Sequence, residues 1–240
     1  MRDRSDPRTA EVGGMLIAED LLLLLTNDTT GKLATSHREV DVALGGALLA
    51  ELALMQRVDL PGSSEQVRQG RLVVSDASPT SDPLLDKALA TIGEKQGRKP
   101  QDVVTALGKH VRDRLYDRLV DRGFVRAESG KILGIIPRHN WPARDAAHED
   151  SVRADLLTAL RNATTGDARS SVLISLLFAL KAVHKAVDPA GAGLSKREMN
   201  ASAKQIAEGG WASDAVRHAI DSVNAAVIAA ASTVVLSGGS

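Results

Sequence analysis

"EVDVALGGALLAELALMQ", Glu39 to Gln56, repeats apolar residues at a helical period: Val40, Leu44, Ala47, Leu48, Leu52 and Met55. Gly45 and Gly46 sit inside it, at a cost of roughly 1–2 kcal/mol relative to alanine. A helix that keeps them gains close packing against a neighbour at that point. On its N-terminal side, Met15–Thr26 is apolar almost throughout and stops at the turn "NDTTGK". A helix apolar on every side is a buried helix. Two helices of this kind at the start of the chain predict a helical core, with an extended piece at Lys32–Thr35 between them.

Toward the C-terminus, "RVDLPGSSEQVRQGRLVVSD" holds two short β-type runs around a Pro/Gly/Ser loop and predicts a hairpin. "SDPLLDKALATIGEK" opens a helix with Asp82 as N-cap and Pro83 at the first helical position. The next helix runs from Asp102 to about Asp121, with Gly108 as its point of interruption. Its buried stripe is Leu107, Val111, Leu115 and Leu119, and Gly123 ends it. "FVRAESGKILGII" reads as strand, Ser-Gly turn, strand, and "PRHNWPARD" as a Pro-bracketed loop. Helices over Ala147–Arg161, Asp167–Val187 and Trp211–Val235, with a shorter one near Ser195–Glu208, close the chain. The fold class is mainly α: a single-domain helical bundle over 15–236 with one or two small β-hairpins. A disordered N-terminal arm, 1–14, and a disordered tail, 237–240, are expected to flank it.

The 240 residues carry 30 Lys/Arg against 30 Asp/Glu and no cysteine. Disulfides, Cys-ligated zinc and thiol nucleophiles are excluded, and a reducing, cytoplasmic setting fits. "MRDRSDPRTAEVGG" has no apolar core and is not a secretory signal. The longest apolar stretches fall short of the ~20 residues a helix needs to cross a bilayer, so any membrane contact is peripheral. Alanine abundance and a bias of Arg over Lys have the look of a GC-rich bacterial genome. The six histidines never pair at i, i+4, no Gly-rich phosphate loop follows a strand, and no G-x-S-x-G elbow is present. Neither a metal, a cofactor nor a catalytic residue is expected; the chain reads as a binding protein, not an enzyme.

Charge is unevenly distributed. From Lys109 to Arg144 there are nine Lys/Arg and four Asp/Glu, a net +5, so the rest of this formally neutral chain sums to −5. On a helix, Arg114 pairs with Asp117 and Arg118 with Asp121 at i, i+3. Lys109, Arg112 and Tyr116 lie along the other flank. Arg112 has only Tyr116 at i+4 and reads as the least neutralised cation of the segment. Two cations and free backbone N–H groups near a helix N-terminal turn suit a phosphate. Two readings fit a basic helix followed by a hairpin: a peripheral membrane module holding anionic headgroups, and a winged-helix DNA binder using helix 109–122 and hairpin 124–136. Nucleic acid is the weaker of the two. A DNA reader carries a clear net positive charge, and this helix shows three aspartates to solvent.

The order of motifs carries further information. "LIAEDLLLLLTNDTTGKL" and "LGGALLAELALMQRVDL", then "SDASPTSDPLLDKAL", "VRDRLYDRLVDRGFV", "DARSSVLISLLFAL" and "NAAVIAAA", together resemble the Golgi phosphoprotein 3 family from about Met15 to Val235. The resemblance implies a mostly helical fold with a protruding hairpin and peripheral membrane binding through phosphatidylinositol 4-phosphate. In eukaryotic members it implies an adaptor that retains glycosyltransferases in the Golgi. Oligomerisation through the hairpin maps to Phe124–Ile136. The family's headgroup pair, two basic residues three apart, falls on Lys109 and Arg112. Its Trp and second Arg fall on Ser36 and Gly45, so both are lost. Arg38 is the expected third headgroup contact, with His37 beside it. Trp141 has two readings, an interfacial anchor or a packed side chain, and the usual burial of Trp favours packing.

Overall fold

The computed structural model describes residues 14–59, 71–132, 136–208, 225 and 227–229. Helix α1, Ile17–Leu25, is buried at every position, as an all-round apolar segment requires. Helix α2, His37–Leu54, packs against it. Ser36 caps α2: its Oγ accepts from Glu39 N at 3.3 Å, while the Glu39 carboxylate reaches back to Ser36 N at 3.0 Å. Thr35 Oγ1 also donates to Glu39, and this bond, helped by the Ser36 contacts and opposed by burial, holds the carboxyl below its usual range.

Beyond α2, the two-residue strands β1, Val58–Asp59, and β2, Val73–Val74, pair antiparallel, as expected for the first hairpin. Helix α3, Pro83–Glu94, starts at Asp82, whose side chain accepts from Leu84 N and Leu85 N. The expected helix over 102–121 is two helices, α4, Pro100–Gly108, and α5, Val111–Asp121. Lys109 is extended between them and His110 is left-handed at φ 60°. The cause is the α2–α4 crossing. A Cβ on Gly45 would stand 2.1 Å from Val104 O, and one on Gly108 would stand 1.9 Å from Asp41 O. Only glycine on both sides permits this approach, which is the packing the Gly45–Gly46 pair predicted. Having crossed α2, the chain turns at Lys109–His110 so that Val111, Leu115 and Leu119 enter the core.

The second hairpin lies later than expected. Strands β3, Glu128–Ile132, and β4, Ile136–Asn140, pair antiparallel with Gly130 opposite Arg138. Ser129-Gly130 is thus inside a strand, and the first half of the "loop" from Pro137 is β4. A two-stranded ribbon has only edges, so it tolerates a proline. Helix α6, Ala147–Asn162, matches expectation. The expected helix over 167–187 breaks. Helix α7, Ala168–Ala179, ends where Lys181 turns left-handed at φ 53°, and α8, Val183–Ala186, follows. Helices α9, Pro189–Ala192, and α10, Lys196–Glu208, come next. The final helix expected over 211–235 lies outside the described residues except at 225 and 227–229, which are helical, with Val227 buried. The arm and the tail lie outside them too, apart from Gly14. The fold is mainly α, as expected, and no described helix is long and apolar enough to cross a membrane.

Candidate functional site

The α4–α5 elbow carries the residues of interest. Lys109 is the C-cap of α4 and is exposed, while Arg112 sits in the first turn of α5. They come from two helices, not from one. His110, at the N-cap of α5, makes no side-chain bond to the first turn, and no other side chain among the described residues caps its N–H groups. The first turn of α2 lies alongside, because Arg112 Nη1 donates to His37 O at 3.3 Å. Arg38 is exposed on that same turn and has no ion pair among the described residues.

Arg112 corrects the sequence reading. Its Nη1 lies 3.1 Å from Asp41 Oδ1, and its side chain is only 18% exposed. It is therefore not the least neutralised cation. Asp41 is 71 residues away in sequence, so no i, i+3 or i, i+4 rule could have found the pair. Burial pushes the Asp41 carboxyl above its usual range, with Arg112 pulling the other way. The expected Arg114–Asp117 and Arg118–Asp121 pairs are also absent. Arg118 turns inward instead, to Glu19 at 3.1 Å and Asp82 at 2.8 Å, and Arg122 joins it on Glu19 at 3.2 Å. Glu19 is fully buried on α1, so these arginines answer a charge that the core would otherwise leave bare. Arg114 is exposed and, among the described residues, pairs with no carboxylate.

Tyr116 is not on the exposed flank either. It is buried, and its hydroxyl lies 2.8 Å from Thr26 Oγ1, which itself donates to Leu22 O at 2.7 Å. Burial pushes the phenol up to about 12. Trp141 stacks on its ring, with centroids 3.9 Å apart and planes within 4°. Trp141 is thus a packed side chain and not an interfacial anchor. The positions aligned with the family's Trp and Arg are structurally committed. The Ser36 hydroxyl is used in the α2 cap, and no side chain of any size fits at Gly45. The winged-helix reading loses its reading helix. The α5 surface shows Asp113, Asp117 and Asp121 to solvent, while Arg118 and Arg122 are spent inside.

A cleft of about 580 Å³ lies elsewhere, between Gly14, Glu51, Asp82, Arg118 and Arg169. Its arginines are committed: Arg169 holds the buried Asp20 at 2.7 Å and Arg118 holds Glu19 and Asp82. It is a mixed-charge structural network with no cation to spare. No group of His, Asp and Glu among the described residues has metal-holding geometry.

These features define a class: a mainly helical protein with a small antiparallel ribbon and a basic elbow beside the start of its second helix. Residues 17–223 match the family model described as Golgi phosphoprotein 3 (GPP34), and the chain belongs to that family. Among curated proteins, a "Vacuolar protein sorting-associated protein 74" from Eremothecium gossypii is 29% identical over 167 residues, 61% of this chain and 49% of the relative. The chain spans about half the length of that relative.

Proposed function

We propose that this protein is a peripheral membrane-binding module that takes anionic lipid headgroups on the face around the α4–α5 elbow. Membership of the Golgi phosphoprotein 3 family carries the reading, since phosphoinositide-dependent membrane binding is what the resemblance implies. The elbow adds chemical support. Lys109 and Arg38 stand exposed near an α5 N-terminus that His110 does not cap, and such a terminus favours an anion. Arg112 is spent inside the fold, its Nη1 tied to Asp41 and His37 O and its Nε 3.8 Å from Asp113 Oδ1. The relative's name refers to protein sorting, and an adaptor that brings other proteins to a membrane is the second layer of the same proposal. The β3–β4 ribbon is proposed as the self-association element.

The test is co-sedimentation with phosphatidylcholine vesicles, with and without phosphatidylserine. Binding to the anionic vesicles alone is expected. It should fall with added salt and by about fivefold for each exposed cation removed, since each contributes ~1 kcal/mol near an anionic surface. Equal partition onto both vesicle types would refute the proposal.

A further inference from the structure

We infer that the cations meeting the lipid phosphates are Lys87, Lys109 and Arg114, gathered around a shallow cleft between α3 and the α4–α5 elbow, and that Arg112 is not one of them. The inference rests on the membrane-binding reading above and names the contacts within it. Lys87 comes from α3, Lys109 from the end of α4 and Arg114 from the first turns of α5. All three are exposed, and among the described residues none is paired with a carboxylate. They rim one cleft of about 40 Å³, whose floor is Leu48, Leu84, Leu107 and Val111. Among the described residues no Asp or Glu lines it.

Three consecutive helices therefore present a convergent, uncompensated positive rim. The rest of this basic helix pair has been neutralised: Arg112 by Asp41, Arg118 by Glu19 and Asp82, Arg122 by Glu19. At about 40 Å³ the cleft has room for only a few waters. It cannot bury an acyl chain, so the contact is at headgroup level. The ligand class follows from the lining. Reading an inositol ring needs several placed acceptors and donors, and among the described residues the only uncharged polar side chain in the cleft is Thr91. The surface is built to sense phosphate charge in a bilayer, not a sugar hydroxyl pattern. Arg112 is already neutralised by Asp41 and takes no part in this contact.

The experiment compares three proteins on phosphatidylcholine vesicles carrying phosphatidylserine, or phosphatidylinositol 4-phosphate at matched surface charge. These are the wild type, Lys87→Ala/Arg114→Ala, and Arg112→Gln/Asp41→Asn, which removes a pair of opposite charges together. Circular dichroism checks the fold of each. The cleft double variant should bind about 25-fold more weakly, roughly fivefold per cation. The Arg112/Asp41 variant should bind as the wild type does, and the two anionic lipids should support equal binding. Wild-type binding by the cleft variant, equal loss in the Arg112/Asp41 variant, or strong preference for phosphatidylinositol 4-phosphate overturns the inference while leaving membrane binding intact. Failure of the wild type on every anionic vesicle overturns the membrane reading as well. Retention on immobilised poly-glutamate without vesicle binding, abolished by Lys87→Ala/Arg114→Ala, assigns the cleft to an acidic protein segment and also overturns it.

Discussion

Replacing Gly45 with alanine should destabilise this protein, although alanine is the better helix former. The new Cβ would stand 2.1 Å from Val104 O and 2.7 Å from Gly108 N, where real Cβ contacts stay beyond 3.0 Å. The shortfall to Val104 O is about 0.9 Å, the difference between 3.0 and 2.1 Å. Both obstacles are backbone atoms of α4, so no rotamer change relieves them and the two helices must separate. Overpacking of this kind costs ~1–3 kcal/mol, and contact with rigid backbone argues for the upper end, about 3. Helix propensity returns ~1 kcal/mol. The net loss is ~2 kcal/mol, about 4–8 °C in Tm for a chain of this length. Gly93→Ala is the matched control. Gly93 also sits in a helix, but it is exposed and its nearest obstacle is Val74 Cγ2 at 4.0 Å. There the same change should stabilise by ~0.5–1 kcal/mol. Thermal and urea unfolding of the full chain, followed by far-UV circular dichroism, measures both. A Gly45→Ala protein melting at or above wild type would show that α2 and α4 do not cross at their glycines.

Glu149 gives a pH prediction. Burial raises its carboxyl from 4.5 to about 7, against the pull of Arg153, whose Nη2 is 2.7 Å away but makes no hydrogen bond to Oε1. A carboxyl raised in the folded state binds its proton there more tightly than in the unfolded chain. Its contribution is therefore fully present below about pH 4.5 and is lost as pH rises through about 7. Wild type should lose about 3 kcal/mol over that window relative to Glu149→Gln; urea curves that stay parallel across the pH series would contradict this. Replacing 128–140 with a short Gly-Ser linker should lower the oligomeric state and leave the helical signal unchanged. An unchanged elution volume in sizing chromatography would remove the self-association role.

Much of the fold was readable because its signals are local. Asp82 before Pro83 marks a helix start whatever surrounds it, and Met15–Thr26 has no polar face to expose. The errors have a common source in long-range contacts. The break at Gly108 within 102–121 was legible, but its cause, the backbone-to-backbone crossing of α4 over α2, was not. Ser129-Gly130 looked like a turn, yet register with β4 places it mid-strand. Ser36 was read only as a missing tryptophan, although Ser36 followed by Glu39 is itself a capping signal.

The site divides in the same way. Composition and motif order determined by themselves that the chain is mainly helical, belongs among Golgi phosphoprotein 3-like proteins, and concentrates positive charge between Lys109 and Arg144. These properties depend on residue type and on spacing within a turn or two, and a linear string records both. Which cations remain free was decided by tertiary structure alone. Arg112 is answered by Asp41 and Arg118 by Glu19, while Lys87, Lys109 and Arg114 are left to converge on one cleft. Neutralisation depends on distances of about 3 Å between charged tips, and only the folded chain sets such distances between residues tens of positions apart.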